Sequence, residues 1–393
     1  MAVILAYYCL LGPLLGLASG AWAPGGVSLR SGMVWGWTGA LVFFLSVMLG
    51  FYGLKPWRLP RASLRRLSPE WCRRIGRWLN FLGFGLQVVA QGPLVLAQLN
   101  PLAAASLGEE LQGWGLSGGL GVLNSLLQFS LNLLVPGTLL LFAAAIHRRK
   151  GWPEVILWSL IAAALYTTSG FRWRLVVLLV PMVILWYLCR QRRPRLVVMA
   201  LFASGLIALA GFIGLTRTYG QGLDISQAGD LGAEQVIDSG LFESTVFYTT
   251  GEVIQLTPQR ISYIGLTPLV GALGIFIPRA IWPDKPSAEY ISTATTAVYG
   301  NTVYAAGSAF LSYAEYFMVF GWPSLIAISI LLGWLLRCLN AWFLEHRFDP
   351  SAQVAYVLTS AFLYVVVSRG YLPQVALLFI FTVLPIFLIR RIA

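Results

Sequence analysis

Residues 196–215, LVVMALFASGLIALAGFIGL, run for twenty positions without a charge. A helix of that length rises about 30 Å, the thickness of a bilayer's hydrocarbon core. Arg195 stands directly before it and Arg217 two positions after it, where the chain would regain water. Runs of the same kind recur at 2–20, 33–54, 78–99, 119–146, 153–169, 174–190, 316–338, 351–367 and 371–389, which makes ten expected spans. With 58% hydrophobic residues, 11% charged residues and a mean hydropathy of +0.75, no soluble fold could hide this much apolar surface. Strand-period alternation is missing, which argues against an outer-membrane barrel. The chain reads as an all-α polytopic membrane protein forming a single integral membrane domain over 1–393. Ala21-Trp22-Ala23 looks like a signal-peptidase site, but no Lys or Arg precedes Arg30, so the first span is expected to be a retained helix.

Charge sorts the loops. With both termini placed in the cytoplasm, 55–77 carries eight Lys and Arg, 148–150 three and 190–195 four. Arg337, Arg347, Arg390 and Arg391 bring the inner total to 19 of 27, and 11 of the 15 acids fall outside. That asymmetry is what the positive-inside rule asks of an inner-membrane protein. The basic inner loops then anchor the topology and meet anionic headgroups, so nucleic acid is not an expected partner. No nucleotide fingerprint appears on the inner side. The four cysteines and two histidines form neither a disulfide framework nor a metal-ligand pattern, so no metal or cofactor is expected.

The outer face is the informative one. Between spans seven and eight lies its longest loop, 216–315, with an apolar segment at 261–281 that reads as an interfacial or re-entrant helix. Seven of the eight outer bases are arginines: Arg30, Arg172, Arg174, Arg217, Arg260, Arg279 and Arg369, joined by Lys285. Outer-leaflet arginines work against the topology, so they need a reason of their own. The guanidinium fork binds phosphate oxygens in pairs and stays charged in low dielectric. Arg172, Arg174, Arg217, Arg279, Lys285 and Arg369 are therefore the candidate ligands of an anionic, phosphate-bearing substrate.

Three stretches carry a resemblance. FIPRAIWPDKPS (276–287) looks like the Pro-Arg…Trp-Pro-Asp-Lys-Pro signature of bacterial oligosaccharide repeat-unit polymerases, the O-antigen or Wzy-like group. AEYFMVFGWPS (314–324) resembles their Glu-x-Tyr-x-x-x-Phe-Gly segment before a late span, and SGFRWR (169–174) their arginine turn between two mid-chain helices. The resemblance implies a GT-C-like glycosyltransferase of the inner membrane. It would transfer a glycan from an undecaprenyl-diphosphate carrier to the non-reducing end of another lipid-linked repeat unit, with a chain-length regulator as a further partner. The alternatives are an O-antigen-type ligase, and a non-enzymatic flippase or transporter of a lipid or anion. A ligase would place a histidine in the outer loop, and this loop has none.

The chemistry assigns roles. Breaking the anomeric bond builds charge on the diphosphate, which the cationic side chains would stabilise. The acceptor hydroxyl needs a base, and a carboxylate serves. Glu315, beside Tyr313 and Tyr316, is the first candidate and Asp284 the second. Tyr219, Trp282, Tyr313, Tyr316 and Tyr371 could stack on sugar rings, and Tyr290 could do the same or belong to an interfacial aromatic belt. The topology is directly testable: a single cysteine at Gln221 should react with a membrane-impermeant reagent in whole cells, and protection of that cysteine would reverse the assignment.

Overall fold

A computed structural model of the chain describes residues 1–20, 22–57, 68–92, 94–100, 127, 129–169, 172–218, 222–223, 232, 245–277, 281–282, 284–286, 289–302 and 309–392. Its helices in chain order are α1 (Ala2–Ser19), α2 (Met33–Gly53), α3 (Pro69–Gln91), α4 (Leu94–Gln98), α5 (Ser130–Arg148), α6 (Trp152–Thr168), α7 (Arg172–Cys189) and α8 (Leu196–Thr216). They continue with α9 (Thr245–Leu256), α10 (Thr267–Leu273), α11 (Glu289–Tyr299), α12 (Ser312–Phe320), α13 (Trp322–His346), α14 (Pro350–Ser368), α15 (Leu372–Thr382) and α16 (Leu384–Ile392). Strands are confined, among the described residues, to an antiparallel pairing of β1 (Arg217–Thr218) with β2 (Gly222–Leu223).

Six of these helices, α1, α2, α5, α8, α13 and α14, are long and apolar enough to cross a membrane, and α15 with α16, bent by 42°, would make a seventh. The other expected runs are helical but stop short of that standard. The apolar part of α7, Trp173–Cys189, and the whole of α6, with 17 residues, are too short. The run expected at 78–99 begins nine residues earlier, as α3, whose first turns carry Glu70, Arg73, Arg74 and Arg77. Ser68 explains that early start: its Oγ accepts from Trp71 N at 3.3 Å, and Pro69 fills the first helical position.

The chain divides into two compact units. The first comprises residues 1–60, 241–344 and 363–377. Its core gathers Phe43, Phe247, Tyr248, Tyr313 and Phe317. On α2, Leu41, Leu45 and Leu49 are 58%, 56% and 58% exposed, while Phe43, Val47 and Gly50 are buried. That split gives the helix one packed face and one apolar face suited to lipid. Against α2 lies α9, from the stretch expected to be an outer loop. Its threonines, Glu252 and Gln255 kept it from reading as a helix of the core, yet Phe247, Tyr248, Val253 and Ile254 are buried. The contact is very close: a Cβ on Gly32 would sit 2.4 Å from the Glu252 nitrogen, and one on Gly251 2.0 Å from the Gly32 oxygen. Glu252 Oε1 there accepts from Gly32 N at 2.7 Å and Ser31 Oγ at 2.6 Å, so the carboxylate satisfies the start of α2.

The expected span 316–338 is two helices. Gly321, at φ +78°, ends α12, and α13 starts at once with Trp322. Ser324 Oγ holds the break, accepting from Phe320 N at 2.8 Å and donating to Tyr316 O at 2.7 Å.

The second unit comprises residues 61–240, 345–362 and 378–393. Its centre is α5, against which α3, α6 and α7 pack. Among the described residues four ion pairs lie in this unit: Arg73–Glu154 at 3.0 Å, Arg77–Glu154, Arg148–Glu70 at 3.7 Å and Arg390–Asp349 at 3.0 Å. Every partner belongs to a loop or helix end that charge sorting put on one and the same face. Arg390 and Asp349 are 1% and 2% exposed, and Asp349 Oδ1 accepts from Ser351 N at 2.9 Å, capping α14.

The α2–α9 contact yields a prediction. Gly251→Ala forces a methyl into backbone, at a cost of roughly 1–3 kcal/mol. Gly205→Ala, where a Cβ meets nothing within 4 Å, should be neutral or slightly stabilising. Thermal unfolding of the two purified variants in detergent checks the contrast, and equal midpoints would remove the close contact.

Candidate functional site

The site is built on α12. Leu311 is extended, and its N–H donates to Thr250 Oγ1 at 2.8 Å, which fixes the chain just before the helix begins. Glu315 therefore falls in the first turn, where the helix's own unpaired N–H groups favour a negative charge. A second helix start meets the same carboxylate. Leu372 N, the first residue of α15, donates to Glu315 Oε1 at 3.0 Å and Oε2 at 3.1 Å. Tyr290, near the start of α11, donates its hydroxyl to Oε1 at 2.5 Å. Glu315, Tyr290 and Leu372 all belong to the first unit.

Glu315 is 2% exposed. Burial pushes its carboxyl up to about 7, while the hydrogen bonds from Tyr290 and Leu372 N pull the other way. The Tyr290 hydroxyl is driven upward in turn, by burial first and by the adjacent carboxylate second. Tyr371 packs edge-on against Tyr290 with ring centroids 6.2 Å apart. The result is a carboxyl poised near neutrality, held by neutral donors and walled by phenols. Chemically it can accept a proton, or give one back, without leaving the interior. Among the described residues no ion pair joins Glu315 to Arg369.

The other sequence candidates are placed as follows. Arg369 shares the tight turn before α15: its N–H donates to Val365 O at 3.1 Å, and Gly370 N to Phe310 O at 2.9 Å. It thus stands three residues from the amide that holds Glu315. Asp284 is exposed. Lys285 Nζ donates to Ile277 O at 2.9 Å and Gly274 O at 3.4 Å, so its charge caps the end of the α10 segment. Trp282 is half-buried over Gly274. Tyr316 is 9% exposed. Tyr313 is wholly buried and donates its hydroxyl to Gly36 O at 3.1 Å, which commits it to packing rather than to a sugar-facing wall. Arg279 and Tyr219 lie outside the described residues.

The remaining arginines are in the second unit. Arg172 opens α7 and Arg217 lies in β1. Arg174 is 8% exposed, with Nη1 donating to Ser169 Oγ at 3.3 Å. Its Cζ lies 5.8 Å from the Tyr166 ring centroid and 5.5 Å from that of Trp173, a cation held among aromatic faces. Among the described residues no three His, Cys, Asp or Glu side chains come together as a metal site.

Sequence reasoning found Glu315 but read Tyr290 only as an aromatic that could meet a sugar or the membrane interface. The one available signal was its position in a tyrosine-rich outer segment, and a partner 25 residues away leaves no local mark. The amide of Leu372 had no sequence signal at all.

Comparison with known proteins matched no curated protein and no solved structure. A family model does match, over residues 114–342, a range that holds SGFRWR, WPDKP and AEYFMVFG together. It covers more than half of the chain, and the chain belongs to that family, described as a domain of unknown function (DUF8712).

Proposed function

We propose that this protein is a lipid-linked oligosaccharide polymerase of the bacterial inner membrane, with a GT-C-like plan, ten spans and both termini in the cytoplasm. One observation carries the reading: in the segment that resembles the polymerase motif, Glu315 is buried, ringed by neutral donors and raised to about 7. A base works best with a pKa near the operating pH.

The acceptor sugar's hydroxyl gives up its proton as its oxygen forms the new bond to the donor's anomeric carbon. The bond from that carbon to the diphosphate oxygen breaks, and its electron pair leaves on the diphosphate. Because so little of Glu315 is open, the proton passes through the Tyr290 hydroxyl, which hands its own proton to Oε1. Arg369, three residues before the amide that anchors Glu315, supplies positive charge that the leaving diphosphate needs. Tyr371, against Tyr290, offers a ring face to the sugar.

Two outcomes test this with purified protein in detergent and a lipid-linked repeat unit. Glu315→Gln keeps the shape and removes the basicity, so turnover should fall by roughly 10²–10⁴-fold with donor binding little changed. A fall under tenfold per monodisperse molecule would exclude Glu315 as the base.

The second outcome is a pH profile. Turnover of the unaltered protein should rise through about pH 7 as Glu315 ionises. The same shift has a stability sign: the folded state holds the proton above the pH at which an unfolded glutamate releases it, so stability falls from about pH 4.5 towards pH 7. Tyr290→Phe takes away the hydroxyl that relays the proton, so turnover should fall roughly as far as in Glu315→Gln. Turnover within a few-fold of the unaltered protein would remove Tyr290 from the proton path.

A further inference from the structure

The second unit contains an apolar groove of about 310 Å³, far in sequence from Glu315. Phe142 of α5, Met182, Trp186 and Tyr187 of α7, and Val198 and Phe202 of α8 line it. Its wall is almost entirely hydrocarbon and aromatic. On the α8 side, Leu196, Val197 and Leu201 are 88%, 69% and 69% exposed, so the groove belongs to a flank suited to acyl chains.

One end of this groove is basic by construction. Gln191 takes a left-handed conformation, φ +53°, and reverses the chain between α7 and α8. Arg192 N closes the turn on Tyr187 O at 3.1 Å, and Arg190 N bonds Trp186 O at 3.3 Å. Arg190, Arg192, Arg193 and Arg195 are all exposed there. They stand within a few residues of Trp186 and Tyr187 on one side and Val198 on the other. Arg190 ties the two features together, with Cζ 3.5 Å from the centroid of Trp186, a groove wall. None of the four is in an ion pair among the described residues, and no Asp or Glu occurs between Glu154 and Asp224.

We propose that this groove is a discrete binding site for an anionic phospholipid, with an acyl chain between α5, α7 and α8 and the phosphate on the arginines of the 190–195 turn. Guanidinium forks pair with phosphate oxygens, and basic pockets between membrane helices select anionic headgroups. A diffuse basic surface would attract the headgroup alone; a groove at the foot of the arginines also takes the chain. The site does not depend on the glycosyl-transfer reading.

Native mass spectrometry of the whole protein in detergent, titrated with phosphatidylglycerol and with phosphatidylcholine of the same chains, tests it. One phosphatidylglycerol should be retained in preference to phosphatidylcholine. Arg192→Gln with Arg193→Gln should weaken it by roughly fivefold per charge removed. Val198→Trp, which fills the groove and leaves the charges, should abolish the tight binding. Equal retention of the two lipids, or tight phosphatidylglycerol binding by a monodisperse Val198→Trp, would overturn the proposal. Brominated-chain phosphatidylglycerol gives an independent reading without filling the groove. Its quenching of tryptophan fluorescence should drop in Trp186→Phe, and an unchanged fraction quenched would equally overturn it.

Discussion

Every buried polar group in a chain sheathed with apolar helices must find its partner inside the protein, because hydrocarbon offers none. Three buried carboxylates meet that demand in the same way, each at the start of a helix. Glu252 accepts from Gly32 N at the start of α2, Asp349 from Ser351 N at the start of α14, and Glu315 from Leu372 N at the start of α15. A helix start carries unpaired N–H groups and partial positive charge, so it is the one backbone feature that can receive an anion in a dry interior. Glu252 and Glu315 thereby join elements distant in sequence, while Asp349 caps its own helix and reaches a distant element through Arg390.

What surrounds each joint differs, and the difference separates structure from chemistry. Asp349 also faces the guanidinium of Arg390 at 3.0 Å, a charged pair that suits a fixed joint. Glu252 lies where two helix backbones nearly touch, leaving little room for anything else. Glu315 has a phenol and an amide for partners, and neither brings a charge. Burial then outweighs the hydrogen bonds and holds the carboxyl near neutrality, the condition under which protonation can change during a reaction.

Much of the architecture is legible in the chain because a long apolar run has few alternatives in a bilayer. The runs 2–20, 33–54, 196–215 and 351–367 emerge as helices within a residue or two. The departures have physical causes. Residues 245–256 carry enough threonine and acid to read as loop, yet hydrogen bonding to neighbouring elements lets them pack as α9. The run 316–338 is interrupted because Gly321 can take a positive φ and Ser324 can hold the broken ends. The third run shifts towards its basic end because Ser68 and Pro69 begin the helix there and Glu154 receives Arg73 and Arg77.

The candidate site divides along the same line. Sequence alone determined the class of the molecule and the choice of Glu315 as a carboxylate worth watching, since these follow from hydropathy and the neighbouring residue types. Only the tertiary structure decided that Tyr290 and the Leu372 amide hold that carboxylate, that Tyr313 is spent on packing, and that Lys285 caps a helix end. Hydrogen bonds between side chains and amides 25 and 57 residues apart obey no period in the sequence; they exist only once packing has brought the helices together.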